Sequence, residues 1–195
     1  MKFKSYIVKL PQWVKNILPG SEIIYPSAEE RMELAITLAV GNIRNNGGPF
    51  GAAIFEQYSG RLVAPGINLV LQSNCSVVHA EIVAIILAQQ KVANFDLGAE
   101  GLPDYELVTT TEPCAMCLGA IPWSGINSLV CGARDEDARS LGFDEGDKPD
   151  DWPQKLQSRT ISVTRDILRD KAKGVLQQYV DSVGIIYNGR FQVTI

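Results

Sequence analysis

Apolar residues recur along this chain with two different periods, and the alternation between the periods predicts its elements. Met32, Ile36, Ala39, Val40 and Ile43 fall at helical spacing behind Ser27-Ala28-Glu29-Glu30, a serine cap with glutamate three places on. Asn45-Asn46-Gly47-Gly48-Pro49 ends that helix, because glycine tolerates left-handed dihedrals and proline cannot continue the ladder. Phe50 to Glu56 reads as a buried strand, and Ser59-Gly60 as a turn into a second strand from Arg61 to Val70. Gly51, Ala52 and Ala53 are small enough to let something approach the first strand. Leu71 to Ser76 reads as a polar loop.

His79 opens a helix whose Ile82, Val83, Ile85, Ile86 and Leu87 leave little polar face, so it is expected to be buried nearly all round. Leu107 to Thr111 predicts a strand, and Pro113 sits near the first turn of the next helix, where a missing N–H costs nothing. Asn127 to Cys131 predicts another strand, Asp135 to Leu141 a short helix, and Gly142 to Gln154 an acidic, proline-bearing loop. Thr160 to Val163 reads as a further strand, and the last helix carries Leu168, Ala172, Val175, Leu176, Tyr179 and Val183 on one stripe. Strands alternating with helices predict an α/β layered fold. Residues 1–26 show aromatic and proline content without a period, and read as an N-terminal extension ahead of one domain over 27–195.

Charge narrows the partners. The net charge is −4, and no Lys/Arg cluster exceeds a pair. Proteins that grip a nucleic-acid backbone draw much of their affinity from basic patches, so a small-molecule substrate is expected and a nucleic-acid partner is not. No segment has the length and apolarity of a membrane span or the form of a secretory leader. Four cysteines in that context predict a reducing, cytoplasmic setting in which they are ligands or free thiols.

The chemistry gathers at two short motifs. His79, the only histidine, is followed two residues on by Glu81, and Pro113-Cys114-Ala115-Met116-Cys117 places two sulfurs on one helical turn. One imidazole and two thiolates leave a fourth position of a tetrahedral zinc ion open to water, which is the catalytic rather than the structural pattern. Glu81 is then placed to carry the water proton. A redox pair is the competing reading of Cys114 and Cys117, but the thioredoxin-like Cys-Gly-Pro-Cys form is absent. Cys131 sits in an apolar strand and reads as core, while Cys75 reads as a neighbour of the site.

These motifs resemble the cytidine deaminase superfamily over roughly Ser27 to Gly146. Gly47-Gly48-Pro49-Phe50-Gly51-Ala52, Cys117-Leu118-Gly119-Ala120-Ile121-Pro122-Trp123 and Gly142-Phe143-Asp144-Glu145 are similar to its bacterial guanine deaminase branch, including members that accept aminotriazines such as ammeline. The resemblance implies a three-layer sandwich with a mixed, roughly five-stranded sheet between helices. It also implies one zinc per chain and a homodimer able to exchange C-terminal segments, here within 155–195. The implied reaction is hydrolytic deamination of guanine to xanthine, with Glu81 moving protons.

By position, Phe50 and Trp123 match the stacking pair, Asn68 the reader of the base edge, and the Ala80 backbone N–H a donor to a substrate carbonyl. Glu145 matches a second catalytic carboxylate, with Asp144 as its competitor and a solvated acidic loop as the plain alternative. Short members close the site with a terminal tyrosine. This chain runs on, and Tyr179 and Tyr187 both stand as substitutes. Three other functions share the zinc motifs: a cytosine or nucleoside deaminase, a tRNA adenosine deaminase, and a zinc-stabilised binding module without chemistry. Acidic charge counts against the second, and an intact Glu81 against the third.

Overall fold

The computed structural model describes residues 8–18, 20 and 23–188; the rest of the expected N-terminal extension and the end of the C-terminal segment lie outside the described residues. A short helix, α1 (Gln12–Ile17), packs on a long one, α2 (Ala28–Arg44). Trp13 lies so close over Gly41 that a Cβ there would stand 2.5 Å from its ring. The serine cap forms as expected. Ser27 Oγ accepts from Glu30 N–H at 3.2 Å, and the Glu30 carboxylate accepts from Ser27 N–H at 3.0 Å. Each bond satisfies a helix-end donor that no intrahelical carbonyl can reach.

Five strands follow: β1 (Gly51–Glu56), β2 (Leu62–Ile67), β3 (Tyr105–Thr111), β4 (Ser128–Ala133) and β5 (Ser162–Thr164). They form one sheet in the order β2-β1-β3-β4-β5. β1 runs antiparallel to β2 and β3, and β3, β4 and β5 run parallel. The period-two alternation divides the core between two faces. Ala53 and Phe55 face a layer made by α2 and by α8 (Arg169–Asp181), whereas Ala52 and Ile54 face the other layer. That second layer holds α4 (Ala80–Val92), α5 (Ala115–Ser124) and α7 (Trp152–Gln157). A mixed sheet between two helical layers is the expected architecture.

Small strand residues set how closely the helices approach. A Cβ on Gly51 would clash with the Ala35 carbonyl of α2. One on Gly66, on β2 opposite Ala52, would meet the Ala80 carbonyl and stand 2.8 Å from Ala84 N on α4.

The structure differs from the sequence reading at several places. Leu71 to Ser76 is not wholly loop: Val70–Ser73 coils into a short helix, α3, ended by Asn74 in the left-handed region. β2 stops at Ile67 rather than Val70, because Asn68 Oδ1 turns back to accept from Val70 N–H at 3.2 Å. Pro113, by contrast, stands one residue before the cap, Cys114, near the first turn as expected. The acidic loop after α6 (Asp135–Ser140) gives way to α7, which begins at Trp152. Val183 is 79% exposed and leaves the stripe, because α8 ends at Asp181 and Val183 takes a positive φ of 57° beyond it.

Candidate active site

Two helix starts meet at one end of the sheet. His79 caps α4 and Cys114 caps α5, each in extended conformation with no side-chain bond of its own to the helix. Both side chains are therefore free to turn into the gap between the helices. Cys117 follows one turn later and is fully buried. Ligand atoms of His79, Cys114 and Cys117 all lie within 4.8 Å of one another, the one such group of three among the described residues. Cys114 Sγ is 3.5 Å from His79 Nδ1. Ideal zinc bond lengths at a tetrahedral angle put such a nitrogen–sulfur pair about 3.6 Å apart, so the spacing of this pair and the chemistry of the three donors fit that ion. Cys131 is buried core, and Cys75 is a half-buried residue packed on the core.

Electrostatics agree with a cation-binding site. Bonding from Cys117, and then from His79, outweighs burial and draws the Cys114 thiol down to about 4. The same bond, reinforced by burial, raises Cys117. Burial opposes charge on His79, yet the Cys114 sulfur and the carboxylates of Glu81 and Glu145 raise its pKa. Glu81 sits in the first turn of α4, buried, and its pKa is raised by burial and by the Cys114 charge.

The cavity beside the sulfurs is lined by His79, Glu81, Cys114, Phe50, Asn68 and Glu145, all anticipated. Glu145 is 5% exposed, and burial followed by the Cys114 charge pushes its carboxyl up to about 8. Asp144 lines the same cavity, but its side chain is 49% exposed; it accepts from Gly146 N–H at 2.9 Å and faces Arg139 at 4.0 Å. The plain alternative of a solvated loop therefore describes Asp144 and not Glu145. Asn68 spends its Oδ1 on Val70, and Asn42 holds the Asn68 carbonyl at 2.8 Å and the Gly48 carbonyl at 2.9 Å. The Asn68 amide group is left as a donor. Ala80 is fully buried, and its N–H lies in the first turn of α4, where no intrahelical acceptor exists.

Trp123 is not brought to this cavity within the chain. It is 87% exposed, and six residues beyond Cys117 it projects from a different side of α5. Phe143 stands where a second aromatic was expected, edge-on to Phe50 with centroids 5.3 Å apart. It packs in turn on Tyr179, 6.3 Å away. Thr111 was also missed: its buried Oγ1 lines the cavity with no hydrogen-bond partner. Both were within reach of the sequence, since Phe143 lies inside the Gly142–Glu145 motif and Thr111 ends the strand that leads to Cys114.

Both tyrosines reach the cavity. Tyr179 is held by donating its hydroxyl to the Ile185 carbonyl at 2.7 Å, while Tyr187 is 46% exposed at the edge. The segment 184–188 lies against the site loop of its own chain. Asn188 accepts from Asp144 N–H at 2.9 Å and donates to the Gly142 carbonyl at 2.8 Å, gripping both flanks of Phe143.

Residues 26–133 match the model of the cytidine and deoxycytidylate deaminase zinc-binding region. A guanine deaminase of Bacillus subtilis is 38% identical over 134 residues, 68% of this chain and 81% of that protein. The structure of a guanine deaminase from Nitrosomonas europaea superposes with a TM-score of 0.86 at 44% identity, covering 92% of this chain and 98% of the other. NE0047 in complex with 2,6-diaminopurine superposes with a TM-score of 0.87 at 45% identity, covering 95% and 97%. Among the described residues no helix is long and apolar enough to cross a membrane.

Proposed function

Because the chain belongs to the cytidine and deoxycytidylate deaminase family, in its guanine deaminase branch, we propose that it hydrolyses free guanine to xanthine and ammonia in this cavity. The observation that carries the reading is the convergence of Glu81 and Glu145, both buried, with His79 and Cys114 and an aromatic wall in a single cavity. His79, Cys114 and Cys117 would hold a zinc ion, which would supply the Lewis acidity that makes water a nucleophile near neutral pH.

The chain's own groups do the rest. Glu81 carries one proton of the attacking water to the ring nitrogen as the C–O bond forms, and then carries the second, from the new hydroxyl, to the amine as the C–N bond breaks. The water oxygen becomes the carbonyl of xanthine, and the amine leaves as ammonia. Glu145 is the second proton carrier, its carboxyl raised from the usual carboxylate range by its dry surroundings. Phe50, edge-on to Phe143, offers the base an aromatic surface. The Asn68 amide, the Thr111 hydroxyl and the Ala80 N–H supply in-plane partners, without which the polar edge of a base would be costly to bury.

Ile185 and Tyr187 border the cavity, which favours a free base over a nucleotide within a nucleic-acid chain. Aminotriazines such as ammeline carry the same amidine carbon and belong to the same proposal. The test is ammonia release from guanine, 2,6-diaminopurine, ammeline, adenine, cytosine, cytidine and guanosine by zinc-loaded protein. Guanine is expected to turn over fastest. Inert guanine beside an active pyrimidine or nucleoside would overturn the assignment while leaving the metal chemistry intact.

A further inference from the structure

A buried ammonium group costs free energy unless its N–H bonds find partners. Lys148, three residues beyond Glu145, has a side chain only 5% exposed, although it lies in a loop at the surface of the fold. Its Nζ donates to the Pro113 carbonyl at 2.9 Å, stands 2.6 Å from Asp135 Oδ1, and lies 5.7 Å from the centroid of the Trp152 ring. Pro113 immediately precedes Cys114. On the other side of that ligand, Ala115 donates its N–H to the Glu145 carbonyl at 2.9 Å. Cys114 thus sits between two bonds to one short stretch of chain, Glu145 at one end and Lys148 at the other. Gly146 closes the gap between them: at φ +68° it comes so near α5 that a Cβ would stand 3.0 Å from the Ala115 Cβ. Asp135 anchors the far side, donating its own N–H to Glu112 Oε2 at 3.1 Å.

Packing beside Trp152 alone would be better served by an apolar side chain, since a buried ion pair rarely repays its desolvation. What an apolar residue could not do is bond the Pro113 carbonyl. We propose that Lys148 is a positioning residue: it pins the Glu145 loop to the Cys114 turn, holding the second carboxylate and the metal ligand in register. Its meaning for catalysis rests on the deaminase reading above; its effect on the metal does not.

The test compares full-length, zinc-loaded Lys148→Met with the wild type and with Lys155→Met, an exposed lysine of α7 that pairs with Asp151. Two quantities are read: kcat and KM for ammonia release from guanine, and the rate at which zinc passes to a chromogenic chelator without substrate. Lys148→Met is expected to lower kcat and speed zinc release, each by about 10- to 100-fold, as loss of a ligand-orienting partner does. KM should stay within about threefold, because the side chain does not line the cavity. Lys155→Met should match the wild type in both. Wild-type kcat and release rate in Lys148→Met would overturn the proposal, as would a lowered melting temperature with both rates unchanged. If Lys148→Met does not fold, Asp135→Asn weakens the same anchor; it should speed zinc release by a smaller factor, and an unchanged rate there also overturns the proposal. The chelator measurement needs no substrate, so an inert guanine and a failed role for Lys148 give different results.

Discussion

Neighbouring carboxylates can have opposite fates, and Asp144 and Glu145 do. Glu145 points inward to a cavity that disfavours its charge, while Asp144 turns out to the Gly146 amide and Arg139. Glu145→Ala is therefore expected to lower kcat by at least about 100-fold, in the range for removing a proton-transfer group. Asp144→Ala should cost under about tenfold. Steady-state ammonia release checks both, and the reverse order would move the second carboxylate by one residue. In the sequence these two acids and Asp147 are alike, because burial is a property of the folded loop. The metal ligands were legible for the opposite reason. A lone histidine and a Cys-x-x-Cys at two helix starts carry their meaning in residue type and spacing. Trp123 shows the limit: its residue type suits stacking on a base, but its direction on α5 could be known only after the helix was placed.

At the scale of elements, the helices were readable where a cap met a clear period, as in α2. They were not readable where tertiary contacts shape a short segment, as in α3 and α7. The junction of α6 with α8 rests on charge. Asp137, with a side chain 4% exposed, accepts from Arg169 Nε at 2.8 Å and from Arg134 N–H at 2.9 Å, and lies 3.5 Å from Lys173. The Arg169 bond, against an opposing effect of burial and with help from the Arg134 amide, holds this carboxyl at about 2. A folded pKa below the unfolded value of about 3.9 means stability present above that pH and lost as pH falls toward 2. Arg169 is partly exposed, so solvent screening reduces what the bond contributes. Arg169→Leu should lower stability at pH 7 and show a flatter decline between pH 4 and 2. Urea unfolding across that range measures it, and unchanged acid sensitivity would remove the pair from the account. The consequence reaches the site, because α8 carries Tyr179, which backs the aromatic wall.

For the molecule as a whole, the metal set joins two helices that follow different strands, α4 after β2 and α5 after β3. Stripping zinc with a chelator should therefore lower the melting temperature by about 5–15 °C, with recovery when zinc is returned. Scanning calorimetry checks it, and an unchanged transition would mean the ion adds nothing to stability. Layer order and the mixed sheet follow from alternation and resemblance, whereas the distance between layers is written in no single motif. It is fixed partly by an atom that is missing. With no side chain on Gly66, α4 rests flush against β2, carrying His79 and Glu81, while the two sulfurs ride on α5. The gap under α4 is thus a machined tolerance of the metal triangle, in the sense that a shim beneath one part throws the whole assembly out of true. One methyl group at position 66 is such a shim. It would lift one corner of the triangle and leave the other two in place, so the chemistry would feel that carbon before the fold did.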